Sequence, residues 1–96
     1  GEFIDDCSLQ IFSERRVDMD GEIIPTGHMV ADNRFIEPHL LEGVALDDCF
    51  QLQARPDHLA CVFKNHGWRF SIYSITGYPY LQVYTPDSRR SIAIEC

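Results

Sequence analysis

Two adjacent carboxylates, Asp47 and Asp48, stand between an apolar stretch (Val44-Ala45-Leu46) and a β-type run that begins at Phe50. Carboxylates at the mouth of a strand accept strong hydrogen bonds from hydroxyl groups. The pair is therefore either a contact for substrate hydroxyls or a solvated turn bonding backbone amides. Gln82 lies between Leu81 and Val83 in an apolar strand pattern. Alternation turns its side chain away from theirs. It is either an exposed surface glutamine or a polar group on a binding face. Trp68, Tyr73, Tyr78, Tyr80 and Tyr84 can supply a stacking surface for a sugar ring, with core packing as the competing use.

Other chemistry finds less support. His28, His39, His58 and His66 fall at neither HxH nor HExxH spacing, so no metal site is expected. Cys7, Cys49, Cys61 and Cys96 contain no CxxC pair, which argues against a zinc knuckle or a dithiol redox motif. Free, mostly buried thiols in a reducing compartment are the expected state, with two disulfides in one of three pairings as the alternative. There is no P-loop, no GxGxxG and no Ser-His-Asp signature.

The elements that must position these residues are short. Leu9-Gln10-Ile11-Phe12 and Arg16-Val17-Asp18-Met19 read as strands around polar Ser13-Glu14-Arg15. Asp20-Gly21 suits a tight turn, and Glu22 to Gly27 reads as a strand ended by Pro25 and Gly27. Residues 28–46 are irregular, with one short helical turn expected over 38–43. Residues 49–54 alternate, 59–63 are continuously apolar, and 65–67 form a turn. From Trp68 to Ile75 alternation is clear: Trp68, Phe70 and Ile72 on one face, Arg69, Ser71 and Tyr73 on the other. Thr76-Gly77-Tyr78-Pro79 breaks that run. Tyr80 to Thr85 is the next strand, Pro86-Asp87-Ser88 turns the chain, and 91–96 form the last strand. Six to eight strands without a helix of normal length predict an all-β, antiparallel β-sandwich.

The chain has 96 residues, enough for one domain. Gly1-Glu2-Phe3 has the form of a vector-derived leader and is set apart from residues 4–96. Fifteen acidic against eight basic side chains give a net charge of -7. That argues against nucleic acid and against an anionic membrane surface, both of which require a basic face. No apolar run approaches the ~18 residues of a membrane span. No stretch has the form of a signal peptide, so a cytoplasmic location is expected.

Several segments, in order, resemble the aldose 1-epimerase (galactose mutarotase) family. Glu22-Ile23-Ile24-Pro25-Thr26-Gly27 is similar to its "hydrophobic-IPTG" stretch. Leu46-Asp47-Asp48-Cys49-Phe50-Gln51-Leu52 is similar to "Tyr-Asp-His-Asn-Phe-x-Leu". Tyr80-Leu81-Gln82-Val83-Tyr84-Thr85 is similar to "x-Leu-Gln-Val/Phe-Tyr-Thr", and Ser91-Ile92-Ala93-Ile94-Glu95 to the strand that follows. The resemblance implies a piece of an antiparallel β-supersandwich, in a protein that interconverts the α and β anomers of aldohexoses such as galactose or glucose. It implies Asp47 and Gln82 as sugar contacts and no metal or organic cofactor. Asp48-Cys49 replaces the family's His-Asn. The family's catalytic His and Glu belong to segments that have no counterpart here, so no catalytic residue is assigned. The competing readings are a non-catalytic carbohydrate-binding module and a structural, self-associating β fragment. A homo-oligomer, or association with the rest of the parent domain, is expected from the strand faces such a piece leaves uncovered.

Overall fold

A computed structural model describes residues 3–19, 25–74 and 79–95. After a 3-10 turn at Ile4–Asp6, nine strands follow among these residues: β1 (Ser8–Ile11), β2 (Arg15–Met19), β3 (Pro25–Ala31), β4 (His39–Leu40), β5 (Asp47–Gln51), β6 (Leu59–Lys64), β7 (Arg69–Tyr73), β8 (Tyr80–Tyr84) and β9 (Ala93–Glu95). They form two sheets, β4-β1-β6-β7 and β3-β2-β5-β8-β9, and every pairing is antiparallel. The all-β, antiparallel sandwich expected from the sequence is present.

Apolar side chains on the facing sides of the sheets make the core. Leu9, Ile11 and Cys61 come from one sheet, and Phe50, Leu81 and Val83 from the other; all six are at most 1 % exposed. Alternation in β8 puts Leu81 and Val83 inside and Gln82 and Tyr84 outside. In β6 a register shift between Leu59 and Cys61 turns both Ala60 and Cys61 into the core, which accounts for its continuous apolar run. Phe35 closes one side of the core, edge-on to Phe50 at 6.0 Å between ring centroids.

The structure departs from the sequence reading in three places. A strand runs through Pro25 and Gly27 to Ala31 instead of ending there. Proline is tolerated because it is the first residue of an edge strand. Residues 38–43 hold the short strand β4 and a turn at 42–43 rather than a helical turn, because His39 and Leu40 pair with Leu9 and Ser8 of β1. Ile4–Asp6 forms a turn that the sequence pattern did not suggest. The turn expected at Asp20-Gly21, the run 22–24, and the break at Thr76-Gly77-Tyr78 lie outside the described residues, as does Cys96.

Candidate functional site

Strands β5 and β8 bring Asp47 and Gln82 together. The register pairs Asp47 with Tyr84 and Cys49 with Gln82. Asp47 and Gln82 are thus diagonal neighbours on one face, and Gln82 Nε2 donates to Asp47 Oδ1 at 3.2 Å. Both are exposed. The opposite face of the same strands carries buried Phe50, Leu81 and Val83, so the site sits on a rigid, packed floor.

The surface around the pair is polar and aromatic. Tyr84 is 45 % exposed beside Asp47. Cys49 is half-buried opposite Gln82, and burial pushes its thiol pKa up. Glu95 of β9 stands opposite Gln82 on the other side. Tyr73 of β7 and Trp68 just before it belong to the other sheet's side and do not contribute here. Tyr78 lies outside the described residues.

Asp48 does not act with Asp47. The adjacent carboxylates lie within β5 and alternate across the sheet. Asp48 is opposite Val83, and its Oδ2 lies 3.9 Å from Arg34 Nη2. That side of the sheet carries a compact ion network. Arg34 grips Asp32 through Nε at 2.9 Å and Nη2 at 2.7 Å, and Arg16 Nε adds a contact at 3.1 Å. Burial pushes the Asp32 carboxyl pKa up, but the two guanidinium groups outweigh burial and hold it below the usual carboxylate range.

The segment that leads into Asp47 is fixed by residues far along the chain. Leu46 N–H donates to Thr85 Oγ1 at 2.7 Å, and Thr85 N–H donates to Leu46 O at 2.8 Å. Arg89 donates to Val44 O at 2.7 Å, to Leu41 O at 2.6 Å and to Asp5 Oδ1 at 2.8 Å. Its backbone is left-handed, with φ 57°. Reading along the sequence missed Thr85 and Arg89 as positioning residues. Their partners lie about forty residues or more away, and neither belongs to a recognisable motif.

A second concavity, of about 250 Å³, lies at the opposite end of β5 and is lined by residues that include Leu52, Arg55, His58 and Pro79. Arg55 there is already committed to Asp57, through contacts of 3.0 and 2.9 Å, and lies over the Phe12 ring. Among the described residues, no three His, Cys, Asp or Glu side chains converge to hold a metal ion, and no helix is long and apolar enough to cross a membrane. No disulfide joins Cys7, Cys49 and Cys61.

No protein-family model matches the chain, and neither does any curated protein. Among solved structures, a GalM/aldose epimerase homologue from C. elegans superposes with a TM-score of 0.83 at 16 % identity. The match covers 98 % of this chain and 37 % of that one. At that identity the likeness establishes the fold: the two sheets, one of which carries both Asp47 and Gln82, have the architecture of an aldose-epimerase homologue, and the chain spans a little over a third of that protein's length.

Proposed function

We propose that this chain is the sugar-holding part of an aldose 1-epimerase-like protein, residues 4–96 forming a partial mutarotase-like domain. The observation that carries the reading is the Asp47–Gln82 pair, joined at 3.2 Å on an exposed face over a buried floor. Anomer exchange needs a base to take the proton from the anomeric hydroxyl and an acid to protonate the ring oxygen. The ring then opens, the aldehyde carbon rotates and closure gives the other anomer. Neither proton-transfer group is assigned within these residues, so this chain's share of the work is to hold the sugar. The Asp47 side chain accepts hydrogen bonds from two sugar hydroxyls. Gln82 orients that carboxylate through its amide N–H, and its amide oxygen remains to accept from a further hydroxyl. Tyr84 offers a ring face beside the pair. Fixing the sugar this way is what lets an acid and a base reach their atoms.

The test is a thermal-shift titration with D-galactose and D-glucose, beside polarimetry of the freshly dissolved α anomers. A ligand at 100 times its Kd stabilises the folded state by about 2.7 kcal/mol. The expected result is a rise in Tm for the parent chain, none for Asp47→Ala, and no acceleration of mutarotation by the chain alone. Acceleration above the buffer rate would overturn the assignment of both proton-transfer groups to segments outside this chain. A flat Tm with every sugar would overturn the holding role.

A further inference from the structure

Strand β7 is an open edge of its sheet: β6 pairs on one side and no described strand pairs on the other. The ladder shows which of its backbone groups are unused. Asn65 N–H donates to Trp68 O, and Ser74 N–H donates to His58 O. The even-numbered residues therefore turn their amides and carbonyls toward β6, and Arg69, Ser71 and Tyr73 turn theirs outward. The same edge carries three of the large exposed hydrophobic side chains. Trp68 is 38 % exposed, Phe70 60 % and Tyr73 52 %. Trp68 lies 5.1 Å, centroid to centroid, from both Phe63 and Phe70. An apolar edge strand whose outward amides have no partner among the described residues is a template for another strand.

Charge says which strand can approach. The chain carries fifteen acidic residues, and none of them falls between Leu59 and Ser74. That hairpin carries Lys64 and Arg69 instead. The other described edges are blunted: β9 carries Glu95, β4 has only two residues and lies between Glu37 and Glu42, and β3 carries the left-handed Gly27 at φ 88° and a register shift against β2. β7 is an apolar edge on which two copies of a chain of charge -7 meet without juxtaposing carboxylates.

We propose that β7 is a homodimer seam, in which two copies pair antiparallel about Ser71 to make one continuous eight-stranded sheet. The register is self-complementary. Ser71 faces its own copy at the two-fold axis, and the outward amides of Arg69, Ser71 and Tyr73 form about six ladder hydrogen bonds. On the core side, Phe70 of each copy meets the partner's Ile72. On the other side, Arg69 of each copy lies on the partner's Tyr73 ring, a cation–π pair. The two Arg69 side chains are about 13 Å apart in this register, beyond the Debye length of about 8 Å at physiological salt. The seam is small, so association is reversible, with Kd in the micromolar range.

Sedimentation velocity on the 96-residue chain at about 100 μM and at about 1 μM tests this, with circular dichroism as the check on folding. The parent is expected to be mainly dimeric at the higher concentration and monomeric at the lower. Ser71→Pro removes an outward N–H without breaking a bond to β6, so it should fold and remain monomeric. Phe70→Lys, read instead if the proline variant does not fold, should weaken association at least about tenfold. Ser71→Cys, oxidised mildly and mapped by peptide mass, should yield a 71–71 cross-link, since strand partners lie within disulfide reach. A monomeric parent at about 100 μM would overturn the proposal and leave the β7 edge to the rest of the parent domain; a dimer that a folded Ser71→Pro retains, or a Ser71→Cys dimer lacking that cross-link, would overturn it too.

Discussion

Replacing Arg89 with alanine removes three contacts at once: Val44 O at 2.7 Å, Leu41 O at 2.6 Å and Asp5 Oδ1 at 2.8 Å. Hydrogen bonds to a charged donor contribute about 1.5–3 kcal/mol each when shielded from water. The Arg89 side chain is 23 % exposed, so water replaces part of each bond, and about 1 kcal/mol apiece is the better figure. Arg89→Ala should therefore cost about 3 kcal/mol of stability. Arg89→Gly loses the same bonds but relieves the left-handed backbone at φ 57°. That is worth up to about 1 kcal/mol, so glycine should be the milder change, at about 2 kcal/mol. Urea unfolding of the three proteins, with the slope checked for constancy, reads both differences as midpoint shifts. The Leu41–Leu46 segment leads directly into Asp47, so sugar affinity should fall with stability. If alanine costs less than about 0.5 kcal/mol, the triple tie contributes little to stability. If glycine is the more damaging, the backbone at residue 89 is not strained.

Asp32→Asn should cost about 2 kcal/mol near neutral pH, because it removes the carboxylate held by Arg16 and Arg34 at a side chain only 5 % exposed. The folded-state pKa of Asp32 is depressed, so the contribution is present above the ordinary carboxylate pKa and is lost as pH falls through and below it. Urea midpoints across that range should converge for parent and variant, and parallel curves would show that Asp32 does not titrate as described. Cys49 should react slowly with iodoacetamide at neutral pH, because burial raises its pKa, and faster as pH rises. Peptide mapping should show saturating sugar slowing alkylation at Cys49. Undiminished labelling under saturation would move the sugar away from the Asp47–Gln82 face.

The fold class was legible because strands write their burial directly into sequence. Leu81-Gln82-Val83 showed which way each side chain turns, and the structure has Leu81 and Val83 at 0 % exposure with Gln82 outside. The long-range pairing was not legible from alternation. It took the register of β5 on β8 to place Asp47 beside Gln82, thirty-five residues away in sequence. Adjacency misled in the opposite direction at Asp47-Asp48, since neighbours in a strand face opposite ways and Asp48 went to Arg34 instead. Residues 28–46 were the least legible stretch. Their order comes from partners elsewhere: Asp32 bound by Arg16, Leu41 and Val44 carbonyls held by Arg89, and Phe35 edge-on to Phe50. None of these leaves a periodic trace.

The tie between Arg89 and Asp5 has a kinetic side. It spans 84 positions, and β1 reaches across the chain to pair with β6 while β5 pairs with β8. Almost every contact that fixes the site must therefore wait for a large loop to close, and closing a loop spends chain entropy before any contact is gained. High-contact-order β domains fold in milliseconds to seconds, far more slowly than helical bundles of similar stability. During that interval the apolar β7 edge is open and the tie that holds Leu41 to Val44 is not yet made. Refolding yield should thus fall as protein concentration rises, with the losses originating at the β6–β7 hairpin rather than at the acidic edges.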